Sequence, residues 1–141
     1  MTGTTPEGRI LAALLRRTES APGALPMVAD NIEFPPPGED APQTYLLVSV
    51  SPGAPERRHI DPKSENLLRG VLGIAVMSPL DEGPQGATDL AGALAAWLDG
   101  EDLTEDGTRV RIVSRPRVVG GYKDRDRWRT PVVAEYEATG V

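Results

Sequence analysis

Hydrophobic and polar positions change period midway through residues 69–98, and that switch organises the chain. In the first half, Leu72, Ile74 and Val76 fall on one side and Val71, Gly73, Ala75 and Met77 on the other. A period of two predicts a strand buried on at least one face. In the second half, Leu90, Leu94, Trp97 and Leu98 recur at helical spacing and predict a helix over 87–98. Gly83 is placed to cap it, Pro84 fits its first turn, and Gly100 ends it in the left-handed position. Ala87, Ala91 and Ala95 form a small-residue face that permits close approach to the sheet or to a neighbouring copy. Trp97 reads as a core anchor.

The same patterning extends in both directions. Thr4-Thr5-Pro6-Glu7 is a helix start, with a threonine to cap, a proline where its missing N–H does no harm, and an acid at the positive end. Ile10, Leu11, Leu14 and Leu15 make the apolar stripe, ringed by Arg9, Arg16 and Arg17, and the helix should run to residue 17 or 18 and pack on the sheet. Residues 19–44 read as a connector, stiffened by Pro35-Pro36-Pro37, with a short edge strand at 31–34. Residues 45–50 predict a strand, 51–68 a long polar loop, and 101–107 a solvated acidic turn. A strand at 109–113 turns Val110 and Ile112 inward. Gly120-Gly121 signals a turn, and 128–137 returns with Val132, Ala134 and Tyr136 toward the helices and Val133, Glu135 and Glu137 away. Pro131 cannot donate to a ladder and marks a strand start or an edge. The sum is an α+β fold: a mostly antiparallel sheet of four to five strands with two helices packed on one face, in a single domain over 1–141.

Composition narrows the picture. Glycine and proline number 15 and 14 of 141 residues, so long loops are expected. No cysteine is present, which excludes disulfides and thiolate metal sites. No secretory signal and no apolar run near the ~20 residues of a membrane span stand out, so a soluble cytoplasmic product without membrane contact is expected. Neither a phosphate-binding loop, a dinucleotide fingerprint nor a nucleophile elbow occurs. His59 is the only histidine, has no second ligand at metal spacing, and receives no role. The acidic 101–107 segment lacks the alternating carboxylates of a calcium loop. No catalytic residue, cofactor or metal is therefore assigned, and the chain is not read as an enzyme.

Charge is where the sequence departs from a bland domain. Residues 109–129 hold eight basic and two acidic side chains, a net of +6, leaving −12 for the rest of a chain whose total is −6. One reading is a solvated basic hairpin on an acidic domain. The other is that one copy's basic end meets another copy's acidic surface, as in a ring or stack. Nucleic-acid binding fits less well, because only Tyr122 and Trp128 could stack on bases there. The candidate interface residues are Arg57 and Arg58 in the 51–68 loop, and Arg115, Arg117, Lys123, Arg125 and Arg127 in the hairpin.

Taken in order, an amphipathic helix, a Pro-rich lead, the strand 45–50, the segment Arg69-Gly-Val-Leu-Gly-Ile-Ala-Val, the helix 87–98 and the closing Trp128-Arg-Thr-Pro-Val-Val-Ala-Glu-Tyr cover about residues 5–139. This order resembles the tail terminator proteins of long-tailed bacteriophages and phage-like particles. The 51–68 and 115–128 segments contribute no family pattern. The resemblance implies a homohexameric ring at the head-proximal end of the virion tail, assembled in the host cytoplasm. Such a ring stops growth of the tail tube and offers a docking surface to the head-side connector or stopper, and DNA passes through its lumen without specific binding. An acidic lumen suits that passage, since phosphate attraction makes nucleic acid stick. Two other classes remain open: a different head–tail joining protein (stopper or tail-tube component), and a small ligand-binding module.

Overall fold

The computed structural model describes residues 5–32, 34, 38, 43–54, 56–57 and 66–140. The first helix, α1 (Pro6–Glu19), begins as its sequence dictates. The Thr5 hydroxyl accepts the Gly8 N–H at 3.2 Å, and Pro6 occupies the first turn. Ile10, Ala13 and Leu14 are buried, while Leu11 stays 43% exposed, so the buried stripe is narrower than expected.

The remaining elements are β1 (Met27–Ala29), β2 (Tyr45–Pro52), β3 (Glu56–Arg57), β4 (Asn66–Pro79), α2 (Gln85–Leu98), β5 (Asp102–Glu105), β6 (Thr108–Ile112), β7 (Arg117–Val118), β8 (Tyr122–Asp124) and β9 (Arg127–Gly140). The strands join in the order β1-β2-β4-β9-β6-β5, with β3 added to β4, and β7 and β8 added to β9. β1 runs parallel to β2 and every other pair is antiparallel. The sheet is thus mixed and larger than the four to five strands expected. Its backbone is the β4–β9 pair, in register from Asn66↔Gly140 to Pro79↔Arg127.

Both helices lie on one face. Ile10, Leu14, Ala91, Leu94 and Leu98 pack there against Leu46, Val48, Leu72, Ile74, Val76, Val110, Val132, Ala134 and Tyr136. Each fully buried aliphatic side chain contributes about 1.5–3 kcal/mol. Ala87, Ala91 and Ala95 turn to the sheet, which their small size lets the helix approach closely. The opposite face holds a smaller cluster of Val28, Tyr45, Ala75 and Met77, with Phe34 tilted at 54° against Tyr45, 4.7 Å between ring centroids.

Five local expectations are corrected. The edge strand is β1, not 31–34: residues 27–29 pair with Leu46–Val48, and Ile32 is left 60% exposed beyond the turn. The 51–68 segment is not all loop: β2 continues to Pro52, β3 pairs at 56–57 and β4 begins at Asn66. Residues 58–65, with Arg58 and His59, lie outside the described residues. The acidic 101–107 stretch contains β5 and a two-residue hairpin turn, Asp106-Gly107, in which both φ angles are positive (47° and 83°). Its carboxylates are used: Glu101 pairs with Arg17 at 2.6 Å, Glu105 with Arg16 at 2.7 Å, and Asp102 with Arg109.

Pro131 lies in mid-strand. Its carbonyl accepts the Val119 N–H at 2.9 Å, so its ring nitrogen faces the same side, into the gap between β7 and β8 where no ladder donor is needed. The last correction concerns Gly120-Gly121, which is not the hairpin turn. The chain reverses at Arg125-Asp126, with Arg125 at φ 57°, whereas Gly121 admits the Trp128 indole where a Cβ would come within 2.3 Å of Nε1.

The exposed Asp102–Arg109 pair yields a pH prediction. Hydrogen bonds from Arg109 hold the Asp102 carboxyl below its usual value. With the folded value depressed, the stabilisation is present above the unfolded pKa of about 3.9 and fades as pH falls through the folded value. Asp102→Asn should lower the thermal midpoint slightly at neutral pH and converge with wild type as pH falls below about 4. Melting curves across pH 2–7 check this.

Candidate assembly interface

The basic stretch does not act as one patch. Arg109 bonds Asp102, Arg111 lies 3.8 Å from Glu137, and Arg129 lies 3.2 Å from Asp124. The Arg127 guanidinium donates to the Gln43 carbonyl at 2.7 Å and sits 5.4 Å over the Tyr45 ring. Half of the positive charge is therefore spent inside the chain. Arg115, Arg117, Lys123 and Arg125 are exposed, and no ion pair forms at any of them among the described residues.

These four occupy different places. Arg115 is in the β6–β7 loop, and Arg117 on β7 lies opposite Val133, on the face away from the helices. Lys123 on β8 borders a shallow cleft with Pro79, Leu80, Asp81 and Trp128. Arg125 is the tip of the β8–β9 hairpin. Arg57 does not join them. β3 pairs with Asn66–Leu67, at the opposite end of β4 from the β8–β9 tip, roughly 40 Å away along an extended strand.

A surface that sequence reasoning missed is the outward side of α2. Asp89, Gly92, Ala93, Ala96 and Asp99 are exposed along it. Residues 70–108 contain no basic side chain. Asp81, Glu82, Asp89 and Asp99 make no ion pair among the described residues. The signal was legible as carboxylates with no cation three or four positions along the helix.

A cavity of about 300 Å³ opens between the first turn of α1 and the ends of β2 and β4, lined by Ile10, Leu11, Val50, Leu68 and Tyr136, with Glu7 and Arg69 at its rim. Burial raises the Tyr136 hydroxyl above its ordinary value, which keeps it a neutral packing group. Among the described residues, no group of His, Asp or Glu could hold a metal ion, and no helix is long and apolar enough to cross a membrane.

The two arginines of the hairpin should separate in a mutational test. Arg125→Glu should leave stability within about 0.5 kcal/mol, as for an exposed residue without partners. Arg127→Glu should cost about 1–2 kcal/mol, through the lost carbonyl bond and the lost cation–π contact. Denaturant titrations of both variants measure the difference.

No curated protein matches this chain. A solved chain of 24% identity shares the fold, with a TM-score of 0.74 over 99% of both chains. The sequence profile of a family described as phage tail terminator protein matches residues 9–136, from the first turns of α1 to Tyr136 on β9. With nearly the whole sandwich inside that match, the chain belongs to the phage tail terminator family, whose members are structural proteins of the phage tail.

Proposed function

We propose that this chain forms a closed homomeric ring, a hexamer, on the head-proximal end of the tail tube. The ring ends tube polymerisation and presents a docking surface to the head-side connector, while DNA passes through the lumen unbound. The observation that carries this reading, beyond family membership, is the set of exposed cations without ion pairs among the described residues, Arg115, Arg117, Lys123 and Arg125, on a chain whose remaining residues are strongly acidic. Opposite charges on different surfaces of one protomer favour head-to-tail contacts, and such contacts close into rings when the rotation permits.

Native mass measured alone and with tail-tube protein, followed by negative-stain imaging, tests the reading. A single closed ring, or a monomer that becomes a ring on tube ends, is the expected result. Open-ended polymers would indicate a tube component instead. A monomer that ignores tube ends would overturn the proposal.

A further inference from the structure

Among the described residues, the sheet face away from the helices is covered at only part of its length. The Phe34–Tyr45 cluster shields Ala75 and Met77, but further along β4 and β9 the residues Val71, Gly73 and Val133 remain half-buried. A Cβ built on Gly73 would come within 2.9 Å of the Ser49 hydroxyl oxygen, so only that small side chain lies against the glycine among the described residues. Arg117 stands directly beside Val133 on this face, exposed and without an ion pair among the described residues. The patch therefore sets Val71 and Val133 beside Ser49 and Glu135, with a positive charge at its border that has no ion pair among the described residues.

We propose that this open sheet face seats the outward side of α2 from a second copy of this chain. The proposal rests on the ring reading above and names the contact that would build the ring. The complement is one of shape and charge. Gly92, Ala93 and Ala96 project little beyond the helix backbone, which lets α2 approach the half-buried Val71, Gly73 and Val133 closely. Asp89 and Asp99 flank that small-residue strip, and no basic residue accompanies them between residues 70 and 108. Arg117 supplies the opposite charge. Glu135, on the same sheet face opposite Val71, repels carboxylates and so places the acidic edge of α2 on the Arg117 side. Because α2 covers one face of the sheet and the receiving patch is on the other, the contact is front to back. It uses two different surfaces of each protomer, the heterologous arrangement that generates rings.

The absence of cysteine gives a clean test in the full-length chain. Ala93→Cys and Val133→Cys are made singly and together, and each is checked for the wild-type native mass. Under a short bis-maleimide linker, the double variant should give a ladder of covalent oligomers, and each single variant almost none. In a second arm, Arg117→Glu and Asp89→Lys should each weaken assembly at least tenfold, and their combination should restore most of it. Rings of wild-type mass that give no ladder, or charge variants that assemble as well as wild type, would overturn the α2 contact and leave the ring reading standing. Wild-type protein that stays monomeric, alone and on tube ends, would overturn both.

Discussion

Gly70→Val is expected to destabilise the protein by on the order of 3 kcal/mol and to lower its melting temperature by roughly 10 °C. Gly70 sits on β4 where Tyr136 of β9 crosses over it. A Cβ there would come within 2.4 Å of the Tyr136 hydroxyl oxygen, 2.6 Å of Cζ and 2.7 Å of the Ser51 carbonyl oxygen. Two of these contacts resist relief. The Ser51 carbonyl belongs to the β2–β4 ladder, and the Tyr136 ring is 2% exposed within the core. Adding Tyr136→Phe removes the oxygen but leaves Cζ and the carbonyl in place, so it should recover little. Full recovery in that double variant would show that the hydroxyl alone made the conflict. Thermal denaturation of the single and double variants decides the matter.

Leu94→Ala should cost a similar amount, about 2–5 kcal/mol. Leu94 is fully buried between α2 and the sheet, and its removal leaves a void lined by a core that can close only partly. Leu94→Met conserves volume and should cost less than about 1.5 kcal/mol. For a domain whose total stability is about 5–15 kcal/mol, Leu94→Ala combined with Gly70→Val should leave a large fraction unfolded at 37 °C. Chemical denaturation of the four proteins (wild type, Leu94→Ala, Leu94→Met and the Gly70→Val combination) tests the ranking.

The elements that sequence reasoning found are those whose pattern is set locally. Thr5 and Pro6 announce α1, Leu90, Leu94 and Leu98 mark α2, and the alternation of Val132, Ala134 and Tyr136 on β9 points to the helices as expected. What escaped depends on partners far away in the chain. β1 is three residues long, and only its pairing with β2 makes it a strand. The 101–107 stretch reads as a solvated turn because its carboxylates are visible while the partners of Glu101 and Glu105, Arg17 and Arg16 on α1, lie more than eighty positions earlier. The assembly surface follows the same rule. Charge counting found the basic stretch, but only the fold shows that Arg109, Arg111, Arg127 and Arg129 have partners within the chain while Arg115, Arg117, Lys123 and Arg125 form no ion pair among the described residues. The carboxylates of α2 were in plain view, yet their role as a complementary surface needed the helix to be placed on the sheet.

Pro131 sits where one edge of β9 changes from continuous to interrupted pairing. On its β4 side, β9 is paired continuously along its length. On the other side, the Pro131 nitrogen faces the gap between β7 and β8, which pair with β9 as two separate short strands. The β8 hairpin can then open without loosening the central pair. Amide hydrogens of Tyr122–Asp124 should exchange with solvent far faster than those β9 directs at β4, leaving the cationic tip a flap hinged on a slow-exchanging spine.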